Sequence, residues 1–475
     1  MRIPKPRAPV LNSACGCNPE RCDMATTVWK HWKRTAARLA DAPAVTDAGT
    51  GRFWSYGQLH DMAEARAESM HGLGVRPGHV VVLARENGAA WLADFLGLQA
   101  LGAVVLPVDP QAAAAETAGT NASARLLVGD STIPMSGTRR HRNSLCLIKA
   151  TSGSTGVSKL YAFTDEQMLA DGRQIVRGMD LRRADINYAV IPFGHSYGLG
   201  NLVFPLIAHG ISVVTGRGFF PADILRDLRE HRATVFPAVP PLLRALSETG
   251  HPGPHSLRKV ISAGGKLDPA VRDRFSAKFQ VPVHNFYGST ETGGISFTRR
   301  IPQPGEPATV GEPLPGVKVT INRNGVVTVS SAAVYTRGNR RREGSHGIVT
   351  VSDRGSFNAR GELILSGRTD REVKVAGRRL RLADIESAAL RVRGVDECFA
   401  HALNTEGADS RIGIVAAGRA DPVALRQALA AALPPWARPK KTVVVPAMPL
   451  TARGKWCRPS LLRLLGEEPG GTDAD

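Results

Sequence analysis

Nowhere in the 475 residues does an apolar run approach the ~20 positions that a membrane-spanning helix needs. The first residues also lack the long apolar stretch of a secretory signal. These two absences make a reducing, cytoplasmic setting the default expectation. Cysteine is sparse, six in all. Three of them cluster as CGCNPERC (Cys15, Cys17, Cys22), but no second Cys/His pair follows at zinc-site spacing. There is no long Lys/Arg block with interleaved aromatics, which argues against dedicated nucleic-acid binding. No repeat and no sustained low-complexity tract is visible.

What is present is a large apolar inventory, 43% of residues, in a chain too long for one compact domain. Two or three domains are expected. The formal net charge of +19 favours anionic partners such as nucleotides or acidic carrier proteins. Residues 1–24 show no periodicity and read as a flexible leader. Strand-like and helix-like patterns then alternate: helix over 58–74, strand over 79–84, helix over 87–102, strand over 103–109, and a similar alternation after 160. Such alternation implies parallel sheets covered by helices on both faces. After about 300, short β-like stretches and an Asn-Gly turn at 324–325 suggest a smaller β-rich subdomain. Beyond Asp370 the pattern becomes α+β. The expected organisation is an α/β chain with a large N-terminal domain (25–369) and a small, mobile C-terminal domain (370–475).

One loop stands out. KATSGSTGVSKL (149–160) places Gly153 and Gly156 among Thr151, Ser152, Ser154 and Thr155, with Lys159 after them. Its spacing matches neither G-x-x-x-x-G-K-[ST] nor G-x-G-x-x-G. Its ingredients nevertheless suit phosphate: glycines let backbone N–H groups approach the oxygens, hydroxyls add donors, and lysine adds charge. A polar turn between two apolar strands is the competing reading.

TSGSTG followed by Lys159 resembles the phosphate loop of the adenylate-forming (AMP-binding) superfamily, which comprises acyl- and aryl-CoA synthetases, adenylation domains of peptide synthetases, and luciferases. Further stretches match in the expected order: WSYGQL (54–59), GAVVLPVDP (102–110), IPFGHSYGLG (191–200), NFYGSTETGG (285–294), GRTDREVKVAGRRLRLADIE (367–386) and PLTARGKWCR (449–458). The resemblance covers roughly 40–460.

The resemblance implies roles. The loop 151–156 and Lys159 would cover the β- and γ-phosphates of ATP. Tyr287 would stack on adenine, the Thr290 hydroxyl would bond the α-phosphate, and Glu291 would hold Mg2+. Gly264 and Gly265 would wall the adenine and acid sites, and His195 would border the carboxylate pocket. Asp353 would accept the ribose hydroxyls, with Arg368 beside it. Asp370 would be the hinge. Lys455 would enter the site for the first half-reaction, and Gly377, flanked by Lys374 and Arg379, would line a thiol tunnel in the second. The implied activity is ATP-dependent conversion of a carboxylic acid to an acyl-AMP, then transfer to the thiol of CoA or of carrier-protein phosphopantetheine. A non-thiol acceptor, or a degenerate member that only binds nucleotide or acid, are the alternatives. No Asp stands near Gly194–Ser196 to pair with an amino acid's ammonium, and VFPAVPP (235–241) is apolar. An uncharged fatty or aromatic acid is therefore expected. The sequence departs from the family at Leu160, where glycine usually follows the loop lysine, and at Val351-Ser352, where Thr-Gly usually precedes the ribose-binding Asp.

Overall fold

A computed structural model describes residues 25–110, 124–129, 132–134, 145–150, 159–251, 253, 256–302, 306, 308–336, 347–369, 372–375, 378–403, 411–450 and 456–467. The cysteine cluster and the rest of the expected leader lie outside these residues.

Two large sheets dominate. The first has nine strands in the order Glu312–Pro313, Gly293–Phe297, Val283–Ser289, Lys259–Ser262, Val235–Ala238, Ile186–Tyr188, Ser212–Thr215, Pro43–Asp47, Phe53–Ser55. Its six central strands, from Val283–Ser289 to Pro43–Asp47, run parallel, and the outer ones pair antiparallel. The second has six strands in the order Thr132–Pro134, Ala124–Val128, Val80–Leu83, Val104–Pro107, Leu145–Ala150, Leu160–Thr164, again parallel inside and antiparallel at both edges. Parallel strands buried on both faces need continuous apolar runs. Val80–Leu83 and Val104–Pro107, buried at every position, supply them.

The helices begin where their sequences say they should. Ser55 and Gln58 form a capping box for Tyr56–Gly72, and Thr164 with Gln167 does the same for Asp165–Gly178. Ala89–Ala100 is buried nearly all round, as its largely apolar composition requires. It packs so closely on Tyr56–Gly72 that a Cβ at Gly97 would sit 2.8 Å from the Ala63 carbonyl oxygen. Its one acid, the buried Asp94, is neutralised by Arg85 (2.5 Å) and Arg66 (3.1 Å).

The β-rich part is a four-stranded antiparallel sheet, Lys318–Ile321, Val326–Ser331, Gly347–Phe357 and Leu363–Arg368, whose first hairpin turns at Asn324-Gly325. The main apolar core runs from Val28 to Leu363. Beyond it the chain builds a small C-terminal domain. A hairpin (Glu372–Val375 with Arg378–Arg381), a three-stranded sheet (Val395–Leu403, Arg411–Gly418, Lys441–Val445) and the helices Leu382–Ala389 and Pro422–Ala432 enclose a separate core around Ile385, Ile414 and Leu425.

Candidate active site

The carboxyl ends of parallel strands are where open α/β sheets bind ligands, and here two sheets present such ends to one cavity of about 300 Å³. Arg85 and Asn87 follow Val80–Leu83, Asp109 follows Val104–Pro107, and Lys149 and Ala150 end Leu145–Ala150. Gly194 and His195 follow Ile186–Tyr188, and Arg217 follows Ser212–Thr215. Asn87 ties the two sheets together. Its amide donates to the carbonyls of Ala189 (3.1 Å) and Ile191 (2.8 Å), and its Oδ1 accepts from the Phe193 N–H (2.7 Å). His195 caps the turn that follows, its Nδ1 accepting from the Tyr197 N–H at 3.3 Å. Below it the buried Tyr197 reaches the carbonyls of Ile261 (3.0 Å) and Ala238 (3.4 Å), and its ring lies 5.8 Å from that of Phe286. Burial pushes its phenol far up, so it stays neutral.

A second group of side chains forms where the nine-stranded sheet meets the antiparallel one. Tyr287, on Val283–Ser289, donates its hydroxyl to Asp353 Oδ2 at 2.6 Å. Asp353 and Arg368 are direct cross-strand partners, with Arg368 Nη1 3.6 Å from Asp353 Oδ1. Burial first, and then the Asp353 charge, drive the Tyr287 phenol well above its ordinary range. The trio thus presents one aromatic ring, one carboxylate and one guanidinium, a set suited to a nucleoside.

Glu291 stands in the turn between Val283–Ser289 and Gly293–Phe297. Its backbone carbonyl accepts from the Tyr335 N–H at 2.8 Å. The Tyr161 phenol is pushed up to about 12, by burial first and then by the nearby Glu291 carboxylate. Tyr161 also meets Tyr335 edge to face at 5.0 Å. Within the same turn Ser289 and Thr292 share a hydroxyl–hydroxyl bond of 3.0 Å.

The fold therefore brings Tyr287, Asp353 and Arg368 into contact, fixes Glu291 in a short turn beyond Tyr287, and sets His195 on the cavity. Gly264 and Gly265 lie exposed after Lys259–Ser262, and a Cβ at Gly265 would meet Pro240 at an ordinary contact distance of 3.6 Å. Lys159 is exposed at the start of the last edge strand. Thr151, Ser152, Gly153, Ser154, Thr155, Gly156, Asp370, Gly377 and Lys455 fall outside the described residues, and Arg379 is described only as part of the strand Arg378–Arg381. Sequence reading missed Asn87, Lys149, Tyr161, Asp171 and Tyr335. Most of their partners lie far away along the chain, and only a lysine closing the apolar run LCLIK beside a glycine-rich loop was a visible signal.

Comparison with known proteins identifies the family. The model of the AMP-binding enzyme family matches residues 32–134 and 120–327, and that of the AMP-binding enzyme C-terminal domain matches 384–455. The chain belongs to the AMP-binding, adenylate-forming superfamily. Within it, the chain is 27% identical to CymA of Salinispora arenicola, described as a probable non-canonical nonribosomal peptide synthetase, over 92% of its own length but only 6% of that protein's. It is 24% identical to 4-coumarate–CoA ligase-like 9 of Oryza sativa subsp. japonica, over 78% of its own length and 80% of that protein's. Among solved structures, an anthranilate CoA ligase, AuaEII, in complex with anthranoyl-AMP shares the fold at a TM-score of 0.75 and 20% identity, covering 94% of this chain and 99% of that one.

Proposed function

We propose that the protein activates a carboxylic acid with ATP and passes the acyl group to a thiol, of CoA or of a carrier-protein phosphopantetheine. A carboxylate resists attack because its leaving group would be oxide. Coupling to ATP removes that barrier. A carboxylate oxygen attacks the α-phosphorus, the bond to the β-phosphate breaks, and pyrophosphate leaves an acyl-adenylate. The thiol sulfur then attacks the acyl carbon, its proton passes to solvent, and AMP departs.

The observation that carries this reading is the Tyr287–Asp353–Arg368 trio beside the turn bearing Thr290 and Glu291. Tyr287 offers a face for adenine, and Asp353 can accept two ribose hydroxyls. Thr290 donates to the α-phosphate. Glu291 fits magnesium, which takes one or two carboxylates together with phosphate oxygens and keeps the rest of its shell as water. The ion supplies charge neutralisation at the phosphates. Residues 151–156 and Lys159 hold the outgoing phosphates, and Lys455 adds its charge for this half-reaction only. Positioning and electrostatics supply the rate, with no acid–base triad.

The acid enters beside His195 with an uncharged fatty or aromatic tail. The apolar strand Val235–Ala238 and the Tyr197–Phe286 contact support this. Residues from about Asp370 onward turn as a body between half-reactions, so that Lys455 and then Gly377 and Arg379 face the site. The separate C-terminal core supports such independence. Pyrophosphate release over a panel of carboxylic acids, with product masses read with and without CoA, tests the whole reading. An acyl-CoA that appears only with CoA supports it. A product acylated on an amine or on oxygen rules out the thiol step.

A further inference from the structure

Two phenylalanines stand side by side in solvent at the cavity, and the reaction as proposed does not use them. Phe219 is 66% exposed and Phe220 76%, and Phe219 lines the cavity. They lie between the strand Ser212–Thr215 and the helix Pro221–Glu230. The loop that carries them is tied down. The Arg217 N–H donates to Asp227 Oδ2 at 3.1 Å, and its guanidinium pairs with Asp227 (2.5 Å) and Glu230 (2.6 Å). The Tyr188 hydroxyl donates to the same buried Asp227 at 3.0 Å. From the neighbouring strand, the Ala48 N–H donates to the Thr215 carbonyl at 2.9 Å. A loop anchored this firmly that still holds two large rings in water points to a contact surface. Exposed apolar patches mark interaction sites, and aromatic residues are enriched in protein interfaces.

The cavity behind them has space for the second reactant. The groups that support the acid's tail, Val235–Ala238, Tyr197 and Phe286, do not line it, whereas His195 does. At about 300 Å³ it lies at the small end of ligand pockets. That suits a slender pantetheine arm and leaves the adenosine end of CoA outside, where its phosphates need counter-charge. Among the described lining residues, Arg85 is committed to Asp94, Arg217 to Asp227 and Glu230, and Lys149 is buried. Glu86 and Asp109 add carboxylates to the same wall. CoA would bring three phosphates to this rim, and a carrier-bound arm brings one. We propose that the acceptor is a carrier protein, which docks on Phe219 and Phe220 and passes its phosphopantetheine arm through the cavity to the acyl-adenylate beside His195. The thiol sulfur bonds the acyl carbon, the acyl carbon–oxygen bond to the phosphate breaks, AMP leaves with the electron pair, and the thiol proton goes to solvent. This rests on the reading of the protein as an acyl-adenylate-forming enzyme.

The test compares acceptors, using an acid that supports pyrophosphate exchange. Pantetheine, CoA and a panel of phosphopantetheinylated acyl, aryl and peptidyl carrier proteins are each offered to the full chain, and thioester is followed by mass. CoA is expected to serve no better than pantetheine, because its nucleotide finds no counter-charge. At least one carrier should exceed both in kcat/KM by roughly tenfold or more, the gain that a few aromatic anchors supply at an interface. The double variant Phe219→Ser with Phe220→Ser should raise KM for that carrier about tenfold or more. It should leave pyrophosphate exchange and transfer to pantetheine as in the wild type, which also shows that it folds. A panel in which no carrier outperforms CoA overturns the inference. So does a carrier KM that the double variant leaves unchanged, or a loss that pantetheine shares. Wild-type protein that exchanges pyrophosphate with no acid would instead overturn the adenylate reading itself.

Discussion

Asp353 faces two ways. Its Oδ2 accepts the Tyr287 hydroxyl, and its Oδ1 faces Arg368, so its carboxylate is already oriented before any ribose arrives. Asp353→Ala should therefore raise KM for ATP by about 10- to 100-fold, the worth of hydrogen bonds to a charged group, with kcat less affected. Tyr287→Phe keeps the ring and loses only the bond to Asp353, so its effect on KM should be much smaller. Steady-state kinetics on the two variants checks the contrast. Equal losses would show that the Tyr287 hydroxyl's hold on Asp353, and not the ring, is what the nucleotide depends on. Gly293 makes a different demand. Its φ is +69°, and a Cβ there would come within 2.3 Å of Asp171 Oδ1. Gly293→Ala should cost at least ~1–2 kcal/mol from the left-handed backbone alone, read as a lowered denaturant midpoint. It should also loosen the turn that holds Glu291.

At the scale of elements, the strand Val283–Ser289 connects the fold to the chemistry, since its far end carries Tyr287. Its buried His284 donates Nδ1–H to the Thr298 carbonyl at 2.6 Å and stacks on Phe297 at 5.0 Å. Burial lowers its pKa from 6.5 to about 4. The folded state thus keeps His284 neutral while the unfolded chain takes up a proton. Stability from this group is complete above pH 6.5 and is lost as pH falls from there towards 4. Thermal unfolding between about pH 7 and 5 should show the decline, and His284→Gln should flatten it. An unchanged slope would place the acid sensitivity elsewhere.

The strands and helices of the two large sheets were legible in the sequence because period and caps are local. Tyr56–Gly72 has its capping box and Val80–Leu83 its apolar run. The parallel pairing could be foreseen from the alternation. The antiparallel edges, Phe53–Ser55 and Leu160–Thr164, could not, because a short half-exposed strand carries no signal of its partner's direction. Tyr287, Asp353, Arg368 and Glu291 were legible only through wording shared with a family. The cross-strand register that makes Asp353 face Arg368 is set by a hairpin no single residue announces. The edge strand Leu160–Thr164 runs straight into the helix Asp165–Gly178, a connection no local pattern announced.

At the scale of the whole molecule, the described residues include a large apolar core around the two sheets and a separate small one around Ile385, Ile414 and Leu425. If the small one swings, changes in it should split the half-reactions. Lys455→Ala should cripple adenylate formation and spare thiol attack on supplied acyl-adenylate. Asp370→Pro, with φ fixed near about −65° and its N–H removed, should hold one pose and lower the overall rate by orders of magnitude while one half-reaction survives. Separate assays of pyrophosphate release and thioester formation check both variants. Equal loss of the two steps in Lys455→Ala, or an unaltered overall rate in Asp370→Pro, would contradict a moving domain.

The central claim is that this chain makes an acyl-adenylate, and the most direct measurement is acid-dependent exchange of labelled pyrophosphate into ATP with no thiol present. The account predicts exchange with at least one fatty or aromatic acid, dependent on Mg2+ and abolished by Glu291→Ala, and an acyl-AMP mass in the same mixture. ATP binding without exchange, across fatty, aromatic, dicarboxylic and amino acids, would contradict it.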